Sequence, residues 1–274
     1  MTSLSANLAL SANLALSANR FSANLGFLWT EYPLPDAIHA AHAAGFDAVE
    51  CHWPYDTDPA EVVAALQATG LTMLGLNAAR GDVEAGENGL AALVGRTQDA
   101  QRSIDKAIAY AEAIDAGYVH VLAGVAYGPE AEGVFIDNLR YATSKAAACG
   151  RMIVIEPLNG GDAPGYFLNH TDLARRIIKA VGATNLKLMF DCYHVQLLEG
   201  DLIRRISANI DLIGHVQFAG VPHRGHPDEG ELDYADVFAH LAALGYDAPL
   251  GAEYRPDNGN TDASLGWMPA LRHR

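Results

Sequence analysis

Eight short apolar segments alternate with eight helical patterns between Phe21 and the end of the chain. The apolar segments lack a clean alternation of apolar and polar residues, which is typical of parallel strands buried on both faces. A regular strand–helix alternation restricts a chain to a closed parallel barrel or an open, doubly wound sheet. The predicted strands span residues 21–27, 46–51, 71–77, 118–124, 152–157, 186–191, 212–218 and 249–254.

The segments between the strands carry helix start and stop signals. Asp58 and Pro59 are typical of a helix N-terminus, and Gly70 predicts the end of the same helix. The predicted helices span residues 34–45, 58–70, 100–117, 134–150, 171–182, 194–206, 233–245 and 263–272.

The barrel is the better of the two architectures. No glycine-rich nucleotide-binding motif follows the first predicted strand, which disfavours the open sheet. No linker rich in Gly, Ser or Pro divides the chain, so we predict one α/β domain, a (β/α)8 barrel over residues 21–274. Residues 78–98 form its longest connection after a strand, and such loops lie on the catalytic face of a barrel.

The N-terminus carries a short repeat. LSANLA occurs at residues 4–9 and again at 10–15, before the related FSANLG at 21–26. A six-residue unit is too short for a solenoid repeat, and the last copy belongs to the first predicted strand. We predict that residues 1–20 form an extension without a role in function.

The charge balance and the cysteines exclude several classes of partner. The chain has 33 acidic residues against 18 Lys and Arg, a net charge of −15, whereas a nucleic-acid surface needs clustered cations. Cys51, Cys149 and Cys192 are an odd number without metal-finger spacing, which is typical of reduced thiols. No apolar segment reaches the roughly 18 residues of a membrane helix. We expect a cytoplasmic protein that acts on a small molecule and binds neither nucleic acid nor a membrane.

Oxygen-bearing side chains lie at or near the ends of the last four predicted strands. They are Glu156, Asp191, Gln217 and Glu253, about one strand–helix unit apart. The carboxyl ends of barrel strands meet at one mouth, where three carboxylates repel each other unless a cation neutralises them. Three carboxylates and an amide oxygen form the kind of ligand set that Mg²⁺ or Mn²⁺ prefers. The spacing therefore predicts one divalent metal site.

Seven motifs give the chain a specific resemblance. They are FSANLGFLWTEYP at 21–33, PYD at 54–56, IEPLN at 155–159, FDCYHVQLLEGDL at 190–202, GHVQFAGVPHRGHP at 214–227, GELDY at 230–234 and EYRP at 253–256. In these motifs and their order the chain resembles the hydroxypyruvate isomerase family, a branch of the xylose-isomerase-like TIM barrels. The resemblance covers residues 21–268.

The resemblance implies an aldose–ketose isomerase that interconverts hydroxypyruvate and tartronate semialdehyde through an enediol. It implies the same four metal ligands, with Glu156 and Glu253 also serving as the catalytic acid and base. Gln217 lies where the related ketose 3-epimerases have a histidine, which favours the isomerase branch. The family usually has GERG where this chain has GENG at 86–89, so one possible cation of the substrate loop is missing.

Five further residues are candidates for substrate contacts. His194, three residues after Asp191, can donate a hydrogen bond to a substrate oxygen. The guanidinium fork of Arg224 suits a substrate carboxylate. The remaining pocket candidates are Glu50, Tyr55 and Asn77. Two histidines inside predicted strands, His120 and His215, are interpreted instead as core or supporting residues.

Other functions on the same fold stay open. A 2-oxo-tetronate isomerase, or another keto-acid or sugar isomerase or epimerase, would share the metal and both glutamates. An apurinic endonuclease needs several zinc ions and a basic surface that faces DNA. An inositol-ketone dehydratase differs in its motifs, and a non-catalytic sugar-acid binding protein would not need costly buried charges. The oligomeric state also stays open, since a homo-oligomer could form through the outer helices.

Overall fold

A computed structural model describes residues 18–272, and most of the predicted N-terminal extension lies outside this range. Asn19, near the end of this predicted extension, is hydrogen-bonded to residues close to the C-terminus. The backbone N–H of Asn19 donates to the carbonyl of Arg272 at 3.0 Å, and its side-chain amide donates to the carbonyl of Leu271 at 2.7 Å. No helix within residues 18–272 is long and apolar enough to cross a membrane.

All strands within residues 18–272 belong to one parallel sheet. They are β1 (Phe21–Asn24), β2 (Ala48–Glu50), β3 (Thr72–Met73), β4 (Gly75–Asn77), β5 (Tyr118–His120), β6 (Met152–Ile155), β7 (Leu186–Asp191), β8 (Ile213–Phe218) and β9 (Leu250–Ala252). Their order in the sheet is β3-β2-β1-β9-β8-β7-β6-β5-β4. The first and last strands of the chain are therefore neighbours, as a barrel requires.

The third predicted strand, 71–77, is interrupted at Leu74 and forms β3 and β4. There the chain changes partner, because β3 pairs with β2 whereas β4 pairs with β5. Hydrogen bonds to the end of β2 nevertheless continue on both sides of the break. The N–H of Leu74 donates to the Val49 carbonyl at 2.7 Å, and the N–H of Cys51 donates to the Gly75 carbonyl at 3.1 Å. The interrupted strand closes the sheet, so the predicted (β/α)8 barrel is confirmed while the unbroken third strand is wrong.

The helices surround the barrel. They are α1 (Leu34–Ala43), α2 (Pro59–Thr69), α3 (Thr97–Ala113), α4 (Gly128–Ala148), α5 (Thr171–Val181), α6 (Cys192–Glu199), α7 (Leu202–Asn209), α8 (Tyr234–Ala243) and α9 (Trp267–Arg272). Asp58 caps α2 by accepting the Ala60 N–H at 2.9 Å. The single helix predicted over 194–206 is wrong: Gly200 and Asp201 have φ of 64° and 50°, and two consecutive left-handed residues end one helix before the next begins.

An aromatic cluster holds the barrel where its first and last strands meet. The ring of Phe21 on β1 lies 5.1 Å from Trp267 on α9, and Phe218 on β8 lies 5.0 Å from Phe238 on α8. Burying each such ring contributes roughly 1.5–3 kcal/mol. This packing fixes β1 beside β9, with Ala23 opposite Ala252. The residues that follow at the two strand ends, Asn24 and Glu253, are thereby brought side by side.

Candidate active site

The ends of β6 to β9 bring the four predicted metal ligands to one mouth of the barrel. Asp191 lies directly opposite Gln217 in the β7–β8 register. Glu156 and Glu253 each follow the last residue of their strand, β6 and β9. All four side chains are buried, with 1–6% of the residue surface exposed. The result is a concentration of acidic groups where water provides little screening.

Arg224 joins two of these carboxylates. One terminal nitrogen donates to Glu253 Oε2 at 2.6 Å and to Asp191 Oδ2 at 3.3 Å, and the other donates to Asp162 Oδ2 at 3.2 Å. The guanidinium also lies between two aromatic rings, those of Phe27 and Tyr193. Arg224 therefore acts as an internal cation of the site in addition to any contact with substrate.

Glu253 receives donors on both oxygens. Besides Arg224 on Oε2, the side-chain amide of Asn24 donates to Oε1 at 2.8 Å and His52 Nε2 donates to the same oxygen at 3.1 Å. Burial alone would raise the pKa of Glu253, but Arg224 and the hydrogen bond from His52 lower it below its usual value. This carboxyl is thus held in one orientation and in its ionised form.

Glu156 and Asp191 lack comparable neutralisation. Burial raises the pKa of Glu156 well above its usual value, and the nearby Glu253 and Asp191 raise it further. Burial also raises the pKa of Asp191 to about 8, against the opposing effect of Arg224. Because the one guanidinium of Arg224 faces four carboxyl groups, those of Glu156, Asp191, Glu253 and Asp162, the mouth favours an additional positive charge.

The free oxygens of the mouth fit a divalent cation. Within residues 18–272, Glu156 Oε1 and Gln217 Oε1 are buried without a hydrogen-bond partner. A buried polar atom left in this way costs about 1–3 kcal/mol, so such atoms mark places where a ligand would bind. Carboxylate and amide oxygens are the ligands that Mg²⁺ and Mn²⁺ prefer. The donor set therefore agrees with the metal site predicted from the strand ends.

His194 has a defined tautomer. Its Nδ1 accepts the backbone N–H of Asn159 at 3.1 Å and the side-chain N–H of Asn159 at 2.8 Å. The orientation of that amide is fixed because its oxygen accepts the N–H groups of Gly161 and Asp162 at 2.9 and 3.0 Å. Burial, reinforced by Arg224, holds the pKa of His194 well below its usual value. The ring is therefore neutral, with its hydrogen on Nε2.

This tautomer decides between two roles for His194. Glu156, Asp191 and His194 each offer an atom within 4.8 Å of one another, so the histidine is close enough to be a metal ligand. A ligand nitrogen needs a free lone pair, however, and Nε2 carries a hydrogen. Nε2 lies 3.7 Å from Asp191 Oδ2 and 4.0 Å from Glu156 Oε1. His194 is thus a hydrogen-bond donor at the mouth, which suits the substrate contact predicted for it.

The other three predicted pocket residues differ in their distance from the carboxylates. Asn77 Oδ1 lies 3.2 Å from His120 Nδ1, which in turn lies 3.8 Å from Glu156 Oε2. Tyr55 donates to the backbone carbonyl of Asn77 at 2.5 Å, so it supports the end of β4 from outside the carboxylate cluster. Glu50 is buried and joins the cluster through a hydrogen bond from Gln217.

Sequence reasoning missed four residues of the site: Asn24, His52, Asn159 and Asp162. Asn24 ends β1, but the first strand was predicted to continue to residue 27, so the strand-end argument did not identify it. His52 follows the end of β2 by two residues, next to the PYD motif. Asn159 and Asp162 lie in the loop after β6, where Asn159-Gly160-Gly161 is a turn signal, but the contacts of the two side chains with His194 and Arg224 could not be derived from it.

Comparison with known proteins places this barrel in a family. The model of the xylose isomerase-like TIM barrel family matches residues 38–271. The chain belongs to this family. Among family relatives, it is 47% identical over 253 residues to a 2-oxo-tetronate isomerase of Cupriavidus necator, covering 91% of this chain and 97% of that protein.

Two further relatives of this xylose isomerase-like TIM barrel cover nearly its whole length. The chain is 36% identical over 257 residues to the hydroxypyruvate isomerase of Escherichia coli, covering 92% of this chain and 99% of that protein. A solved structure named AP endonuclease, family 2, from Brucella melitensis has a TM-score of 0.88 at 39% identity, covering 93% and 99% of the two chains. Because the chain is similar over nearly its whole length to two relatives named as isomerases, this member of the family is an isomerase.

Proposed function

We propose that this protein is a divalent-metal-dependent isomerase that moves the carbonyl group of a small 3-hydroxy-2-oxo acid from C2 to C3. The observation that carries the proposal is the convergence of buried Glu156, Asp191, Gln217 and Glu253, of which two oxygens lack a partner within the described residues. The names of the isomerase relatives support a hydroxylated keto acid as the substrate.

The four convergent side chains would hold the metal ion. When bound there, a divalent ion would polarise the substrate carbonyl and stabilise negative charge on the enediol oxygens. His194 would donate its Nε2 hydrogen to a substrate oxygen, because Asn159 leaves that nitrogen as the donor. Arg224 would keep Asp191 and Glu253 in place and hold the substrate carboxylate in exchange for its contact with Asp162.

Glu156 and Glu253 would move the protons. One removes the proton from C3, and the electrons of that C–H bond form the C2=C3 double bond while the C2 oxygen gains a proton. A proton then returns to C2 and the hydroxyl proton on O3 leaves, so that the C3 carbonyl forms. Substrate and product are isomers, and no oxidant or reductant is needed.

Two substrates share this chemistry. Hydroxypyruvate, which gives tartronate semialdehyde, is the first candidate and is supported by the motifs in which the chain resembles the hydroxypyruvate isomerase family. A four-carbon 2-oxo-tetronate is the second, favoured by 47% identity to the Cupriavidus necator protein against 41% to a putative hydroxypyruvate isomerase of Xenopus laevis and 36% to the Escherichia coli protein. The two differ only by a hydrogen or a hydroxymethyl group on C3.

A product assay separates the candidates and tests the proposal itself. The purified protein is incubated with Mn²⁺ and each acid, and the products are followed by NMR. We expect isomerisation of at least one acid, with the higher kcat/KM identifying the substrate. Turnover of neither acid would reject the proposed function.

The name of the Brucella melitensis structure also raises DNA hydrolysis. The net charge of −15 opposes approach to a phosphate backbone, and the carboxylate cluster and Arg224 are buried. We therefore expect no cleavage of duplex DNA with an abasic site under conditions that support isomerisation. Metal-dependent cleavage at a comparable rate would favour the nuclease.

We predict that Arg224→Lys raises KM for the acid substrate by about tenfold or more, while the protein still folds. Lysine keeps the positive charge among Asp191, Glu253 and Asp162 but loses the fork that can bind a carboxylate through two nitrogens. The measurement is steady-state kinetics on hydroxypyruvate and on dihydroxyacetone, its neutral analogue. A KM that rises equally for both compounds would contradict recognition of the carboxylate.

A further inference from the structure

Glu50 forms a buried hydrogen-bond centre beside the predicted metal ligands. Its Oε2 accepts from the Tyr118 hydroxyl at 2.6 Å, from His215 Nε2 at 2.9 Å and from Gln217 Nε2 at 3.2 Å. Only 2% of Glu50 is exposed. His215 and Gln217 are two residues apart on β8, so their side chains lie on the same face of the strand. Three donors from two strands thus converge on one oxygen at the end of β2.

The hydrogen bond from Gln217 fixes which end of its amide faces the carboxylates. Nε2 is turned to Glu50, so Oε1 is turned away from it, and Oε1 is one of the buried oxygens without a partner in residues 18–272. Only the oxygen of an amide can bind a cation, since the NH₂ group is a donor. A flipped amide would set two oxygens against each other at Glu50 and point an NH₂ group at the metal site.

Gly251 leaves the space that this arrangement needs. It lies opposite Gln217 in the β8–β9 register. A Cβ at position 251 would lie 2.2 Å from Glu50 Oε1 and 2.8 Å from His215 Nε2, well inside contact distance. The backbone of Gly251 does not require glycine by its φ, so the lack of a side chain is what matters at this position.

We propose that Glu50 is a positioning residue, which orients the amide of Gln217 as a metal ligand in the space left by Gly251. The proposal rests on the metal site of the proposed function. It differs from a substrate contact, because Glu50 acts through Gln217 and through the geometry of the ion. Partners of a ligand commonly influence metal affinity by about 10- to 100-fold.

The first test is the affinity of Glu50→Leu for Mn²⁺, measured by calorimetry on chelator-treated protein, because leucine removes the acceptor of the Gln217 amide. We expect about 10- to 100-fold weaker binding than in the wild type. Asn209→Ala is the control, because Asn209 is a buried, hydrogen-bonded side chain on α7, outside the site, and its loss should leave the Mn²⁺ affinity unchanged. Wild-type affinity in Glu50→Leu would overturn the inference while leaving the proposed metal site intact.

The second test keeps the acceptor and removes only the charge. In Glu50→Gln an amide oxygen can take the place of Oε2 and accept from Gln217, Tyr118 and His215. We expect this variant to bind Mn²⁺ more tightly than Glu50→Leu and closer to the wild type. Equal losses in the two variants would show that only the charge of Glu50 matters, and that result would overturn the inference.

The variant Gly251→Ala tests separately whether the site needs the free space beside Gly251. We expect Mn²⁺ binding weakened by about tenfold or more, as for the loss of a ligand's partner. Gly133→Ala on α4 is the matched control, since a Cβ there meets nothing within 4 Å. Unchanged affinity in Gly251→Ala would contradict the need for space. If the wild type itself bound no Mn²⁺, both this inference and the proposed metal site would fail.

Discussion

Glu253→Gln is expected to lower kcat about a thousandfold, within the range known for loss of a general acid or base. The side chain keeps its size and one oxygen, but an amide cannot take up a proton from carbon at neutral pH. Asn24, His52 and Arg224 hold the wild-type carboxylate in place, so its loss removes a group that is already oriented for reaction. Steady-state kinetics with saturating Mn²⁺ measures the effect.

The control for this variant is Glu199→Gln. Glu199 is also poorly exposed, accepts from the N–H and hydroxyl of Thr171 at 2.6 and 3.0 Å and pairs with Arg205 at 2.9 Å, but it ends α6 outside the site. Both variants lose one buried charge and should lose some thermal stability, which circular dichroism records. A kcat for Glu253→Gln as close to the wild type as that of Glu199→Gln would contradict the acid–base role.

Removing divalent metal is expected to lower activity to below about 1% and adding Mn²⁺ or Mg²⁺ to restore it. The physical reason is that charge on the enediol oxygens needs a cation within a water-poor site, and Arg224 is already engaged by Asp191 and Glu253. Metal should also raise Tm, because binding at 100 times Kd adds about 2.7 kcal/mol to the free energy of unfolding.

The variant Asp191→Asn complements the metal-removal experiment, because it changes one proposed ligand and leaves the metal in solution. It weakens the ligand set at the β7–β8 register, so a larger concentration of Mn²⁺ should be needed to recover turnover. Atomic absorption gives the metal content of each preparation. Full activity in wild-type protein that holds less than about 0.1 ion per chain would reject the metal requirement, given that a catalytic ion must be present at each turnover.

Much of the candidate site was predictable from the sequence, because in a barrel the spacing of residues along the chain determines which of them lie at the same mouth. Strands of a parallel barrel all end at one mouth, so Glu156, Asp191 and Glu253 could be grouped from their positions alone. Asn24 was missed because the first strand was predicted to continue to residue 27, whereas β1 ends at Asn24. The barrel itself followed from the alternation of buried strands and helices, which depends on local residue patterns that a sequence displays directly.

The remaining features depend on contacts between distant residues or on single backbone angles. Arg224 was predicted to hold a substrate carboxylate, but its hydrogen bond to Asp162, 62 residues away, could not be predicted from the sequence around either residue. Arg224 also has a φ of 55°, which sets the course of its loop and is unusual for a residue other than glycine.

Two backbone irregularities could not be predicted from the sequence for similar reasons. The break of the third strand at Leu74 reflects a change of partner strand rather than a local signal. Likewise the end of α6 depends on the left-handed φ of Asp201 as well as on Gly200. Glycine allows that angle but does not require the following residue to share it.

A crystal grown with Mn²⁺ and recorded near the manganese absorption edge tests the central claim most directly. We expect one anomalous peak at the barrel mouth, within about 2.0–2.6 Å of oxygens of Glu156, Asp191, Gln217 and Glu253, the range of hard divalent ions. His194 should lie outside the ligand shell, with Nε2 free to donate. A peak bound by His194 with Gln217 turned away, or no peak among these residues, would contradict the account.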